Sequence, residues 1–440
     1  MKRITAIISF ALVMSIALVC MSSCSILDMS SSAGGNNSGG AVNEDYMTKE
    51  EVEKLISGIE QNVTVEGGDS YDITINQPEG SSVSAAASKA LLSVVSIRCK
   101  FNVTVTYSSS IFGPSGTYTT EETTAGAGVI YSLDKEKGDA YIITNYHVVF
   151  YSGADTEDDI SDNISVFLYG QEYEQYAISA DYIGGSKNYD IAVLKVKNSD
   201  ILRASSAMAA EFADSNDTCI LDTAIAIGNP EAKGISATVG VVNVDSEHIT
   251  ISSIGSNGYT TLRVLRIDAA VNGGNSGGGL FNGDGKLIGI VNAKMSDSSI
   301  DNIGYAIPSN IAKYVADNII YYDGIDAKND NVYRIMIGVT VGVDKAYTKY
   351  DTETGRIHKY EDVKIESVAE GSLAATCLKA GDIVKSITID GVDYEIVRSF
   401  NLIDVMLTAR KDSSVVFHIV REGTPMDIIL DLTKVEPTPY

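Results

Sequence analysis

Ser276 stands in VNGGNSGGGL (271–280), one hydroxyl among five glycines and two asparagines. An alcohol is a poor nucleophile at neutral pH. It needs a base to take its proton, a group to orient the base, and donors for the oxyanion that forms on attack. The chain has four histidines: His147, His248, His358 and His418. His248 and His418 lie inside alternating strand patterns, and His358 in the polar GRIHKYED, the ordinary settings of structural or surface histidines. His147, in AYIITNYHVV (140–149), reads as the end of a strand, at the edge where a side chain can face a cleft. Asp190, in NYDIAVLKV (188–196), precedes an apolar strand and is the candidate to orient the base. Each signal alone is weak; the combination in the order His147, Asp190, Ser276 points to nucleophilic serine chemistry. No metal or cofactor is required for it.

The elements that must position these residues read as β. VVSIRCKFNVTV, AGVIYSL, AYIITNYHVV, ISVFLY, YDIAVLKV, TAIAIG, ATVGVVNV, HITISSI, TLRVLRIDA, KLIGIVNA and IGYAIP are short, strand-like and separated by turn residues. They run from about residue 84 to the amphipathic stretch SNIAKYVADNII (309–320), and suit two packed β-barrels or a large sandwich. Strand–helix alternation is missing, which disfavours a parallel α/β sheet. GNSGG also fits the G-x-S-x-G elbow of α/β-hydrolases, but that elbow needs a helix after the serine. Here GGGLFNGDGKLIGIV follows, a turn and then a strand. Residues 321–332 are polar and turn-rich and mark a boundary. A smaller β-rich unit runs from 333 to about 435, with a helix expected over 399–410 and Ser399 as its N-cap.

The N-terminus carries a separate message. Lys2 and Arg3 precede an apolar run from Ile4 to Met21 and then Ser-Ser-Cys. This is an export signal over 1–23. Its Met-Ser-Ser-Cys end looks like a bacterial lipobox, which would make Cys24 a lipidated N-terminus. An uncleaved membrane anchor and full secretion are the alternatives. All three put the folded part outside the cytoplasm. Residues 24–83 read as a tether holding one short helix, 48–60, where Thr48 and Glu51 have capping-box spacing and Val52, Leu55, Ile56 and Ile59 share a face. Residues 62–83 read as a second linker. Net charge is −25, which repels phosphate backbones and argues against nucleic-acid binding. Beyond the leader, Cys99, Cys219 and Cys377 are far apart, so neither a zinc site nor a disulfide framework is supported, and isolated core thiols are expected.

With TNYHVV, YDIAVLKV and NGGNSGGGL in hand, together with AIAIGNP, ISATVGVV and IGYAIPSN, the chain over about 84–435 resembles the HtrA/Deg family. These are chymotrypsin-like serine proteases with a C-terminal PDZ domain. The resemblance implies an all-β-dominated fold: a double β-barrel over 84–318, then a PDZ domain over 333–436. It implies His147 and Asp190 on the first barrel, Ser276 on the second, and an oxyanion hole from the Gly274 and Ser276 amides. Segment 291–307 would shape the specificity pocket. RIMIGV (334–339) resembles the carboxylate-binding start of a PDZ domain, so amides near Ile337, Gly338 and Val339 would hold a peptide C-terminus while the peptide adds as a strand. The expected partners are unfolded or misfolded proteins and peptide C-termini, a membrane reached through the N-terminal lipid or anchor, and, because the family commonly forms trimers, copies of the chain itself. Cleavage of one signalling protein, or chaperone-like binding with little catalysis, are the rival functions. Two departures stand out: Gly273 and Gly279 occupy positions where the family pattern usually has proline.

Overall fold

The structure, a computed structural model, describes residues 4–6, 63–67, 71–75, 83–108, 115–156, 158–293, 303–323 and 332–440. The chain divides into two compact units, Met1–Ser81 and Ser82–Tyr440. In the first, β1 (Ile4–Ala6), β2 (Val63–Gly67) and β3 (Tyr71–Ile75) form an antiparallel sheet. The 62–83 segment is therefore not only linker: VTVEG and YDITI alternate at period two and pair as a hairpin, Val63 opposite Ile75. The helix expected over 48–60 and the lipidation position Cys24 lie outside the described residues. Among the described residues, no helix is long and apolar enough to cross a membrane.

The second unit opens with α1 (Val83–Leu91) and then builds two closed antiparallel barrels. The first comprises β4 (Val94–Ser108), β5 (Ser115–Asp134), β6 (Asp139–Thr144), β7 (Asn163–Leu168), β8 (Ile178–Ser186) and β9 (Ile191–Val196), closed in the order β4-β5-β6-β9-β8-β7. Short helices α2 (Tyr146–Val149) and α3 (Asp200–Ala204) decorate it. The second comprises β10 (Thr223–Gly228), β11 (Ser236–Ser252), β12 (Tyr259–Ile267), β13 (Gly279–Phe281), β14 (Leu287–Val291) and β15 (Gly304–Pro308), closed as β10-β11-β12-β15-β14-β13. Period-two alternation sends Ile97, Cys99, Ile142 and Leu194 into the first barrel and Ala226, Leu265, Leu280 and Ile288 into the second. The opposite faces of the same strands are apolar too. Val129, Ile143, Ile191 and Val193 of one barrel meet Ile225, Ile227 and Ile290 of the other in a shared core. That double burial is why YDIAVLKV and TAIAIG read as continuous apolar runs.

Three readings of the barrel elements need correction. His147 does not end a strand: β6 stops at Thr144, and His147 is the second residue of α2. ATVGVVNV and HITISSI are one strand, β11, bent by register shifts around Val244 that interrupt its alternation. β8 went unread because its IGGS end looks like a turn. Of the three cysteines, all free, Cys99 is fully buried and burial pushes its thiol up to about 12, so it behaves as an inert core group. Cys219 is also buried, but it is not isolated: its Sγ lies 3.7 Å from His358 Nδ1.

After α4 (Ser309–Tyr322) and β16 (Tyr333–Arg334), a further sheet forms from β17 (Val339–Tyr350), β18 (Ile357–Val368), β19 (Ile383–Ile389), β20 (Val392–Glu395), β21 (Ser414–Arg421) and β22 (Thr424–Asp431). Its helix α5 (Ser399–Val405) is shorter than 399–410, and Ser399 is its first residue rather than its cap; the Ser399 amide donates to Glu361 Oε2 at 2.7 Å. β23 (Thr438–Pro439) pairs back onto β16. This sheet is not an independent body. Val332 and Leu407 enter the barrel core beside Ile311, Val315 and Ile319 of α4. Charges tie the sheet down as well: Arg263 of β12 pairs with Asp404 of α5, both nearly buried, Arg356 reaches Asp222 at 2.8 Å, and Lys359 reaches Asp245 at 2.7 Å.

Burial holds the Asp404 carboxyl above the usual carboxylate range, against the pull of the Arg263 guanidinium. Removing one partner strands the other charge in a desolvated site. Arg263→Ala should therefore lower unfolding free energy by roughly 3–5 kcal/mol, whereas replacing both by leucine should be near neutral or stabilising. Urea melts of the two variants check this; equal losses in both would mean that packing, not charge, dominates.

Candidate active site

α2 begins where β6 leaves the first barrel, and this sharp change of direction places His147 against the turn between β8 and β9. That turn holds Asp190 in left-handed backbone, φ +51°, an uncommon conformation for a residue with a Cβ. The Asp190 side chain is wholly buried. Its Oδ1 accepts from the His147 backbone N–H at 3.0 Å, and its Oδ2 lies 2.7 Å from His147 Nδ1. An acceptor-only carboxylate fixes the proton on Nδ1 and leaves the lone pair on Nε2. The imidazole is less deeply set, with its side chain 18% exposed, so one edge reaches solvent while the other is clamped.

A third donor was not found by reading the sequence. Asn292, fully buried just after β14 of the second barrel, donates from Nδ2 to Asp190 Oδ2 at 2.6 Å. Nothing in KLIGIVNA distinguishes this asparagine from a strand-end turn residue. Its role arises only because β14 of one barrel ends beside the β8–β9 turn of the other.

Ser276 lies in the loop between β12 and β13 and is 5% exposed. The loop is tied to the first barrel by its own backbone: Ala127 N–H donates to Ser276 O at 2.8 Å. Gly277 has φ +82° and no room for a side chain, because a Cβ there would meet Ala127 O at 2.1 Å and Thr144 Oγ1 at 2.3 Å. The amides around the serine divide into two groups. Those of Asn275, Gly277 and Gly278 donate to the carbonyls of Asn272, Val291 and Asn275. Those of Gly274 (φ +94°) and Ser276 donate to no described residue. Two neighbouring free amides beside a buried hydroxyl are what an oxyanion site requires. Ser276 Oγ itself accepts from Ala293 N–H at 3.1 Å, and among the described residues no hydrogen bond joins it to the imidazole. The structure thus links His147 to Asp190 directly and seats Ser276 on the facing barrel.

The two unusual glycines differ. Gly273 is exposed, lies outside the left-handed region, and has open space where a Cβ would go. Gly279 is buried in β13, and a Cβ there would strike the Phe281 ring at 2.3 Å. Phe281 fills the volume a proline would take, so this departure is absorbed by packing.

Ile337, Gly338 and Val339 lie 60 residues and more from the serine in sequence and in a different part of the unit. They line a groove of about 310 Å³ between the start of β17 and α5, closed on the far side by Leu402, Ile403 and Met406. Among the described residues, no cluster of His, Cys, Asp and Glu could hold a metal ion.

Residues 126–290 match the trypsin-like peptidase domain. The chain is 34% identical over 303 residues to the "Serine protease Do-like HtrA" of Bacillus subtilis, covering 68% of this chain and 60% of that protein. It is 30% identical over 374 residues to the protein of the same name from Lactococcus lactis subsp. lactis, covering 80% of this chain and 83% of that one. With the "Probable periplasmic serine endoprotease DegP-like" of Chlamydia pneumoniae it shares 32% over 327 residues, 71% of this chain and 56% of that one. The two barrels, the paired histidine and aspartate, and these likenesses together place the chain in the HtrA family of trypsin-like serine endopeptidases.

Proposed function

We propose that the protein hydrolyses peptide bonds of unfolded or misfolded proteins outside the cytoplasm, with Ser276 as nucleophile, His147 as base and then acid, and Asp190 as the group that orients the imidazole. The observation that carries this reading is the clamped imidazole, its Nδ1 held by a buried carboxylate at 2.7 Å, on a barrel to which Ala127 and Asn145 tie a loop with one buried hydroxyl and two free amides. His147 Nε2 takes the Ser276 proton as Oγ attacks the scissile carbonyl. The Gly274 and Ser276 amides stabilise the resulting oxyanion. The imidazolium, favoured by Asp190, returns the proton to the leaving amine; water then attacks the acyl-serine by the same route in reverse.

The sheet after residue 332 completes the proposal as a PDZ domain. A peptide C-terminus would seat its carboxylate at the Ile337–Val339 turn and add as a strand along β17, with its last side chain among Leu402, Ile403 and Met406. An extracytoplasmic site of action accords with the export-type leader and with a relative named as periplasmic. Lipidation of Cys24 and assembly into a homotrimer belong to the same proposal.

The direct test is mass spectrometry of β-casein fragments. Wild type should give internal cleavages and Ser276→Ala none; persisting cleavage by Ser276→Ala would overturn the assignment. Because a protonated imidazole cannot accept the serine proton, kcat/KM should fall as the pH is lowered; a rate independent of pH from 5 to 8 would contradict a histidine base.

The glycine departures give a second test. Gly273→Pro has room and should pre-set the serine loop, raising kcat/KM with folding intact, whereas Gly279→Pro should collide with Phe281 and lower Tm. Unchanged kinetics in Gly273→Pro would mean that the loop is already set at rest.

A further inference from the structure

Asn145 has no part in the reading above, yet its side chain joins both halves of the site. It is the residue between β6 and α2 and is fully buried. Its Nδ2 donates to the Asp190 backbone carbonyl at 2.8 Å. Its Oδ1 accepts from the Gly277 backbone N–H at 2.7 Å, a donor that Val291 O shares at 3.0 Å. Asp190 is on the first barrel and Gly277 directly follows Ser276 on the second. One planar amide therefore spans the seam from the carboxylate turn to the serine loop.

Both partners sit in left-handed backbone: Asp190 at φ +51°, uncommon for a residue with a Cβ, and Gly277 at φ +82°, a region glycine enters readily but other residues seldom do. Strained turns persist only where their surroundings over-determine them. Asp190 is fixed at its carboxylate by His147 and Asn292, and at its carbonyl by Asn145. Gly277 is fixed against Thr144 and Ala127 by the absence of a Cβ and against Asn145 by its N–H. An aspartate at 145 would have nearly the same shape but could not both accept from Gly277 and offer an amide N–H to Asp190; an alanine would do neither.

We infer that Asn145 is a positioning residue of the proposed triad: its amide sets the Asp190 turn and the Ser276 loop in register across the two barrels. The inference rests on the triad reading. It acts through Asp190 and Ser276 rather than by touching substrate, so its loss must appear in kcat and not in KM.

The test uses the full chain with a fluorogenic peptide, each preparation titrated with a fluorophosphonate so that rates are given per reactive Ser276. Both Asn145→Ala and the isosteric Asn145→Asp should lower per-site kcat about 10- to 100-fold with KM within about threefold of wild type. Per-site kcat within about twofold of wild type in Asn145→Asp overturns the inference, as does a rise in KM that accounts for the whole loss. Asn145→Asp fills the native volume and carries the test if Asn145→Ala does not fold. Ser276→Ala separates the two levels: if it is inactive while Asn145→Asp is normal, only the positioning role fails; if it is active, the triad reading fails with it.

Discussion

A carboxylate taken wholly out of water must find donors for its oxygens or give up its charge. Asp190 finds three: the backbone and ring of His147, and the amide of Asn292. Two come from the first barrel and one from the second. Satisfying this single buried group therefore requires both barrels to be closed and docked, and much of the site's geometry follows from it. The histidine is oriented because it is a donor to Asp190. The strand end at Asn292 is drawn to the seam for the same reason.

The seam itself is built from strands that are apolar on both faces. Packing Ile191 and Val193 against Ile225, Ile227 and Ile290 removes water from the ground beneath the site, and polar contacts buried there weaken little to solvent. In such a seam a hydrogen-bond partner for a buried polar group counts for more than it does at the surface. From the first barrel, Asn145 Oδ1 accepts from the Gly277 N–H and the Ala127 N–H donates to Ser276 O. The left-handed backbone of Asp190 is held in place by hydrogen bonds at its carboxylate and its carbonyl.

The third sheet extends the same logic with charge. The chain is strongly acidic, and most of its ion pairs are at the surface, where each contributes little. Arg263–Asp404 differs because it is buried between β12 and α5. It and the shared apolar core through Val332 and Leu407 make the barrels and the sheet one compact unit. The polar segment 321–332 looked like a simple boundary because a linker's composition does not reveal that its last residue is buried.

The sequence by itself determined the β architecture, since period-two alternation and turn residues are local properties. It also singled out His147, Asp190 and Ser276, because a scarce residue type beside a strand, an acid before an apolar run and a serine among glycines are each visible within ten residues. Where it misread, a local rule was overridden locally: bulges hid the continuity of β11, a Gly-Gly end hid β8, and α2 replaced the last turn of an expected strand at His147. The hydrogen bonds of Asn145 and Asn292 exist only in the folded chain. Both are ordinary turn-compatible asparagines in sequence. Asn292 reaches the Asp190 carboxylate, and Asn145 the Gly277 N–H, each across more than a hundred residues of chain, only when the two barrels dock on each other. Only the tertiary structure decided that Gly279 is packed by Phe281 while Gly273 stands free, because available volume belongs to the fold and not to the residue.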